Sequence, residues 1–543
     1  MVKRFIGGAW PYANGSLHLG QVAGLISGDI LARYFRAKGD EVLYVSGSDC
    51  HGTPIALRAV KEGVVPRVIT DKYHSEFTYC FEKLGFSYDI YTKTDTKNHY
   101  DFVQQVFKEL YKNGGIYPKE MKQVYCPKCE QFLPDRFVEG TCPHCGNEAK
   151  GDQCDFCSEL LEPLELRNKK CGLCGGKTEV RQSQHLFLKL PLYEKQLKRY
   201  VKSAKGWRDN AIAMTERYLK EGLRERAATR DLKYGIDVPI AGYEDKKIYV
   251  WVEAVCGYLS ATKAVSEERN ICWKDFWSED VESYFIHGKD NIPFHSLILP
   301  AILLGLGNFH LPDHMVSSEY LTIEGRKLST SRNWAIWVPY MVENYNADSI
   351  RYFLIINGPE KRDSDFSWRE FVNRHNGELL GAFGNFINRT LAFVEKSFQG
   401  IVPQGQLEKS VEIIIEETYN KAGNYIEEFK FKNAMESIFD LVRYGNKYFD
   451  EKSPWIEIKE NRESCSNTLY NCVQIIANLS NLLEPFLPFS CDKIRNMLHI
   501  KDNSWSMIYF NSKEPLRDVK PLYSRIEKTV VEKEIQRLKE NCK

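Results

Sequence analysis

The stretch KRFIGGAWPYANGSLHLGQVAGLISGDILARYFRAKGDEVLYVS, residues 3–46, decides the fold. Lys3–Ala9 is short, apolar and bounded by turn residues, which predicts a buried strand. Pro11–Gly15 has the turn chemistry of a loop. From Leu17 the period changes. Leu19, Val22, Ala23, Ile26 and Ile30 recur at helical spacing until Gly39 ends the run. Glu41–Ser46 predicts a second strand. Strand, helix, strand within about fifty residues is a βαβ unit of a parallel sheet. His18 and Gln21 then stand three residues apart, either side of Gly20, in the first helical turn. A helix N-terminus offers free N–H groups and a positive dipole end. Two nitrogen donors around a glycine of close approach therefore suit a phosphate chain. The plainer alternative is a helix cap beside a chance histidine.

The chain has 543 residues, enough for three or more domains of about 100–200 residues each. It is 43% hydrophobic and 27% charged with a formal net charge of +1, so no global field marks a nucleic-acid binder. RNA would have to use local patches. There is no signal-peptide core, and no apolar run reaches the ~18 residues of a membrane span. A cytoplasmic protein without a membrane is expected.

The second half of the sheet is expected at Lys247–Glu253, Tyr284–His287 and His314–Ser317, which makes 114–225 an insertion into a split sheet. Doubly wound sheets bind ligands beyond the strand C-terminal ends, where strand order reverses. His18, Asp49, His287–Asp290 and the 327–331 loop all follow predicted strands and can converge there. In the insertion, eight of the sixteen cysteines form four C-x-x-C pairs: Cys126/Cys129, Cys142/Cys145, Cys154/Cys157 and Cys171/Cys174. Thiolates at this spacing, in a chain without an export signal, suit tetrahedral zinc rather than disulfides. Eight ligands make two closed, structural sites. Spacing alone allows sequential pairing of the units (first with second, third with fourth) or nested pairing (first with fourth, second with third). A free-standing nucleic-acid zinc ribbon is the alternative; a position inside an enzyme sheet favours a lobe over the active site.

AWPYANGSLHLGQ, residues 9–21, resembles the HIGH-type signature of class I aminoacyl-tRNA synthetases. Some 300 residues on, Lys327-Leu328-Ser329-Thr330-Ser331 in GRKLSTSRNW resembles the second signature, lysine-x-serine-lysine-serine. Both in this order, with a cysteine-rich insert between them, are similar to methionyl-tRNA synthetases. So are SGSDCHGTPI, FLPDRFVEGTCP, YVWVEAVCGYLSA, HGKDNIPFHS and DEKSPW, over nearly the whole chain.

The resemblance implies an α/β fold: a doubly wound parallel (Rossmann-type) sheet split by a zinc-binding insertion, followed by an all-helical anticodon-binding domain. It implies a first half of the nucleotide-binding catalytic domain at 1–113 and a zinc-knuckle insertion at 114–225. The second half follows at 226–320, a signature-loop and stem-contact region at 321–370, and the helical domain at 371–543. The activity implied is methionine–tRNA ligation: methionyl-adenylate and pyrophosphate from methionine and ATP, then transfer to tRNA(Met). His18, Gln21, Lys327 and Thr330 take the catalytic positions. Gly20, Gly288, Asp290, Ser329 and Ser331 join them in holding ATP. Ala9, Trp10, Tyr12, Asp49, Trp251, Ala254, Tyr258 and His295 line the methionine site, Asp49 pairing the α-ammonium group. The aromatic walls suit a soft thioether. Trp10 and Val255 stand where many members carry other apolar residues.

Asn385 and Arg389, at i and i+4 in GNFINR, and Trp455 in DEKSPW take the anticodon-reading positions; a stacking aromatic beside amide and guanidinium donors reads unpaired bases. Two structural Zn²⁺ ions, with the resemblance favouring nested pairing, and Mg²⁺ travelling with ATP are implied. The chain stops after a last helix at Ile526–Glu540, where longer relatives carry a dimerising domain, so a monomer is expected. Both signatures are softened. Gln21 replaces the second histidine and Thr330 the second lysine, with Arg326 and Arg332 close by as replacement cations. Two rivals stand beside this reading. One is a class I synthetase for another large apolar amino acid, though those usually carry a larger editing insert. The other is a non-catalytic RNA-binding relative.

Overall fold

A computed structural model of the chain describes residues 2–151, 154, 156–157, 161–330, 332–511 and 514–542. At its centre is a six-stranded parallel sheet built from β1 (Lys3–Gly8), β2 (Glu41–Ser48), β3 (Ile90–Lys93), β4 (Gly206–Trp207), β5 (Val281–Gly288) and β6 (His314–Ser318), in the order β4-β6-β5-β1-β2-β3. Successive side chains of a strand point to opposite faces, and here both faces are covered. Ile6, Val42 and Tyr44 pack on helix α1 (Leu19–Ala37). Phe5, Leu43 and Val45 pack on the other side with Phe102, Val103 and Val106 of α2 (Lys97–Lys112). Strand order reverses between β1 and β5, paired from Lys3↔Val281 to Gly8↔Ile286, and the site lies beyond their C-terminal ends.

One expected strand is absent. Lys247–Ile248 forms a two-stranded antiparallel pair with Thr229–Arg230 apart from the central sheet, and the chain then turns into α3 (Val250–Glu253). An apolar run this short reads equally well as a buried strand or a buried helical turn, and burial on the second core cluster decided for the turn. Within the span 114–225, β4 pairs with β6 at the sheet edge, so the end of that span belongs with the sheet. The span's outer part is a long hairpin, Ile116–Cys126 against Glu179–Leu188. Beyond it, a small three-stranded sheet of Val138–Thr141, Glu148–Lys150 and Arg167–Cys171 carries the cysteines.

From Trp368 onward the described chain is helical apart from extended connections; α4 (Asn385–Phe398), α5 (Arg462–Leu482) and α6 (Thr529–Asn541) are its reference helices. This half shares one apolar core with α1. A buried polar joint fixes the two halves. Arg351, fully buried, donates to the carbonyls of Leu84, Pro485 and Phe486 and pairs with Asp29 of α1 at 2.7 Å. Burial would raise the Asp29 carboxyl, but Arg33 and Arg351 hold it below its ordinary value. Along α5, buried amides grip two extended segments. Asn471 donates to the Gln406 carbonyl and accepts from Glu408 N–H. Gln474 does the same at both backbone groups of Phe510, and Asn478 at both of Ile508. These side chains do for irregular chain what a neighbouring strand does in a sheet. Among the described residues, no helix is long and apolar enough to cross a membrane.

Candidate functional site

A cavity of about 850 Å³ opens over the ends of β1, β2 and β5. Ala9, Trp10, Tyr12, Asp49, Trp251, Ala254, Tyr258 and His295 all line it, drawn from the loop after β1, the end of β2, α3 and its continuation, and the segment after β5. Trp10 needs small neighbours. A Cβ at Gly47 would stand 2.5 Å from its ring and one at Gly257 2.8 Å. Tyr258 meets Trp10 edge-on at 6.3 Å, and its hydroxyl donates to His295 Nε2 at 2.8 Å. His295 Nδ1 donates to the Asn291 carbonyl at 2.8 Å, which fixes the neutral tautomer. Burial pushes this imidazole down to about 4. Trp251, 38% exposed at the mouth, meets Phe294 at 5.0 Å. Asp49 is pinned through its backbone to Pro11 and Ala13. Burial and the charge of Glu253 raise its carboxyl well above the ordinary range.

The other end of the cavity is lined by His18, Gly20, Gln21, Gly288, Asp290 and Lys327. His18 is the N-cap of α1, whose first turn holds no acidic residue. Burial lowers this imidazole to about 4, and its Nδ1 has no protein partner. A neutral nitrogen at a positive helix end is suited to an anionic ligand. A Cβ at Gly20 would come 3.2 Å from the His18 ring, tighter than an ordinary contact. Gln21 turns its carbonyl oxygen back to cap the His18 N–H at 3.0 Å. Asp290 accepts from the Tyr320 hydroxyl. Lys289 bridges Glu319 at 2.6 Å and Asp363 at 2.9 Å.

The second signature sits on a hairpin, Leu321–Ile323 against Arg326–Lys327, turned by Glu324 and Gly325 at positive φ. It closes on itself through Ser329 and Trp334, whose backbones exchange both hydrogen bonds. The chain after it is stitched to the start of α1: Leu19 N–H donates to Ile336 and Val338 N–H to Leu17. Two motifs remote in sequence thus share one frame. Ser329 and Thr330 stand outside the cavity lining, and Ser331 lies outside the described residues. Arg326 lies 4.8 Å from the Trp334 ring, while Arg332 is exposed.

The eight paired cysteines form two groups, Cys126, Cys129, Cys171 and Cys174, and Cys142, Cys145, Cys154 and Cys157, each with its sulfurs within 4.8 Å of one another. The pairing is nested. Either group could hold a metal ion. The Cys145 thiol is lowered to about 6 by N–H donation from Asn147, and Cys174 to about 7 by that of Gly176, which favours thiolate. No disulfide joins any cysteine among the described residues.

In the helical half, Asn385 is exposed on α4. Arg389 one turn on donates to Asp450 at 2.6 Å and to the Asn446 carbonyl at 2.8 Å. Its guanidinium lies 4.4 Å from the Phe449 ring, and Phe449 meets Trp455 at 6.0 Å. Trp455 is 45% exposed rather than buried after its proline. Sequence reasoning singled out neither Phe294 nor Tyr320 on the cavity wall, while Lys289 falls within the expected His287–Asp290 segment. It also missed His51, His99 and Glu253 beneath Asp49. Phe294 in HGKDNIPFHS, His51 in SGSDCHGTPI and Glu253 in YVWVEAVCGYLSA all lie in the quoted motifs, whereas Tyr320 and His99 lie outside them.

The model for tRNA synthetases class I (M) matches residues 4–391, and that for the anticodon binding domain of methionyl tRNA ligase matches 402–521. A methionine–tRNA ligase of Bacillus cereus (strain 03BB102) is 57% identical over 537 residues, 98% of each chain. Methionine–tRNA ligase 1 of Alkaliphilus oremlandii (strain OhILAs) is 55% identical over 98% of this chain and 99% of its own. The crystal structure of Mycobacterium tuberculosis methionyl-tRNA synthetase bound by methionyl-adenylate superposes with a TM-score of 0.80 at 21% identity, covering 96% of this chain and all of that one. The cavity at the sheet's reversal point, the two signatures stitched together above it and these likenesses over nearly its full length agree: the chain belongs to the methionyl-tRNA synthetase family.

Proposed function

We infer that the chain is a methionine–tRNA ligase whose adenylate-forming step takes place in the 850 Å³ cavity. The carrying observation is convergence: side chains from four separate segments meet in one pocket with an apolar, aromatic end and a phosphate-suited end. In this reading methionine's thioether lies among Trp10, Trp251 and Tyr258, with its α-ammonium group against Asp49. The neutral Tyr258–His295 pair offers the sulfur no charge, which favours a thioether over a polar side chain. ATP lies with its phosphates at His18, Gly20 and the α1 N-terminus and its ribose toward Gly288 and Asp290. Lys327, Ser329, Thr330 and Ser331 close over the β/γ-phosphates.

The methionine carboxylate attacks the α-phosphorus in line, and pyrophosphate leaves. Such a step depends on positioning and on stabilising the developing charge. Mg²⁺ arriving with ATP would neutralise phosphate charge. The tRNA 3′ end then takes the methionyl group from the adenylate and AMP leaves, with Asn385, Arg389 and Trp455 reading the anticodon. Two structural Zn²⁺ ions, one in each four-cysteine group, would hold the cysteine lobe together. Zn–S bonds of about 2.3 Å make a tetrahedron with edges of about 3.8 Å, and sulfur separations of 3.6 and 3.9 Å in one group and 3.8 and 3.6 Å in the other fit it. The work of such an enzyme lies in the cytoplasm.

The test is ATP–pyrophosphate exchange with each amino acid in turn. Methionine alone should drive it. Faster exchange with leucine or isoleucine would overturn the pocket assignment.

A further inference from the structure

Beneath Asp49 lies a buried cluster that the adenylation scheme leaves unused. Glu253, with no exposed surface, holds two histidines: Oε1 meets His51 Nδ1 at 2.9 Å and Oε2 meets His99 Nε2 at 2.8 Å. The His51 backbone N–H donates to Asp49 Oδ1 at 3.2 Å. Three elements are joined here: the end of β2, α2, and α3 with its Trp251.

The hydrogen bonds fix where protons sit. Asp95 takes both arms of Arg67 at 2.7 and 2.6 Å and accepts from Tyr234 at 3.1 Å, so it is a carboxylate and only an acceptor. The one proton of Tyr100 goes to Asp95 at 2.8 Å. The Tyr100 oxygen therefore accepts from His51 Nε2 at 3.0 Å. Nδ1 of His51 needs a second proton to meet Glu253, whose carboxyl its histidine partners hold below the ordinary value against the effect of burial. His51 is thus an imidazolium against a carboxylate.

His99 Nδ1 contacts Ser260 Oγ at 2.8 Å, and Ser260 has the Gly257 carbonyl as a second acceptor at 3.2 Å. If Ser260 donates to Gly257, His99 donates through both nitrogens and is also positive. The charges of Asp49, His51, Glu253 and His99 then cancel. If Ser260 donates to His99, that imidazole is neutral, and the deeply buried Asp49 needs a proton of its own. In both arrangements the four-residue cluster is neutral and holds one proton more than an ionised Asp49 beside a single His51–Glu253 pair. Burying unbalanced charge is costly, so neutrality is the stable state.

We propose that the Asp49–His51–Glu253–His99 cluster is a positioning device that exchanges this one proton for the α-ammonium group of methionine. It rests on the reading of Asp49 as the ammonium's partner. The exchange balances at the ammonium end: the ammonium keeps its three protons and enters against Asp49, one cluster proton leaves to solvent, and the cluster with its ammonium stays neutral, methionine's carboxylate lying outside it toward the phosphate end. Tyr12, hydrogen-bonded in backbone to the same loop, stays a neutral phenol because burial and Asp49 raise it far above its ordinary range. Thr94, 3.4 Å from His51 Nδ1, and the Cys50 N–H that it accepts carry no charge.

The experiment is calorimetric titration of the full chain with L-methionine near neutral pH, in buffers of unlike ionisation enthalpy. About one proton should be released per methionine bound, and affinity should climb as pH rises, by up to about tenfold per unit. L-Methioninol, which keeps the ammonium and lacks the carboxylate, should release the same amount. E253Q should release less than half as much; a loss confined to stability would leave the proton count unchanged. Buffer-independent heats with methionine bound normally by the wild type would overturn the proposal whether or not the variant folds. So would undiminished release in folded E253Q. Failure of wild-type protein to bind methionine would instead overturn the pocket assignment.

Discussion

Thr330 stands where the second signature calls for a lysine, and its neutral hydroxyl gives one hydrogen bond where a cation would face departing pyrophosphate. Of the two cations beside it, Arg326 is laid on the Trp334 ring, while Arg332 is exposed at the loop tip. Charge-assisted hydrogen bonds are roughly twice as strong as neutral ones. If Arg332 supplies the missing charge as the loop closes, R332A should slow adenylate formation at saturating ATP by about tenfold and raise the ATP KM less, because the contact forms in the transition state. T330K in that background should recover much of the rate. An unchanged activation rate in R332A would rule the compensation out. Trp455 sits far along the chain from the adenylation pocket, half-exposed beside Phe449 and Arg389. W455A should cut tRNA charging about tenfold or more while sparing pyrophosphate exchange, since lost base stacking costs about 1–3 kcal/mol. Equal loss in both assays would make Trp455 a packing residue. An aromatic at a strand end, taken alone, is more often core than ligand contact; the pocket side chains were legible through the family resemblance, which names them position by position. His51, His99 and Glu253 were not, because a buried polar contact depends on residues remote in sequence, and each alone reads as an ordinary core or surface group.

Secondary structure was legible wherever the period was long, as along α1, and ambiguous where it was short, as at Lys247–Glu253, whose second half is the helix α3. The stripe Asn467, Asn471, Gln474 and Asn478 on α5 misleads in another way. Its spacing is that of a solvated face, yet Asn471, Gln474 and Asn478 are buried against backbone, so hydropathy alone assigns the wrong side of the helix to water. In the cysteine lobe the spacing gave the ligand type, while the nested grouping followed from the strand order that brings Arg167–Cys171 beside Val138–Thr141. Strands this short do not hold a lobe by themselves. Native mass spectrometry should show two metal ions per chain, and C154A with C157A should remove one and leave the outer site filled. One ion in the wild type, or loss of both in the variant, would refute two independent centres.

For the whole molecule, buried histidines set the acid limit. His18, His74 and His295 are each lowered by burial from 6.5 to about 4. Between those values the unfolded chain binds protons that the folded chain refuses. Stability should therefore fall as pH drops from about 6.5 to about 4, by up to about 1.4 kcal/mol per unit for each group. His287 and His375 are lowered by burial in the same direction, and His310, raised by Asp313, works the other way. Urea midpoints across this range should decline with acidity; a flat profile would mean that the three imidazoles are more open to water than their burial implies. The joint at Arg351 and the shared core mean that both halves should unfold together in that titration. The sheet order has a consequence for synthesis as well. β1 has β2 on one side, 38 residues on at Lys3↔Glu41, and on the other β5, 278 residues on at Lys3↔Val281. At ribosomal speeds of about 5–20 residues per second, the open edge of β1 waits roughly 15–55 s for its partner. The cysteine lobe, with both of its four-cysteine groups, is made within that interval. The nascent chain thus carries a half-built sheet with one bare edge, and for those roughly 15–55 s its hazard is pairing with a chain on a neighbouring ribosome rather than heat or acid.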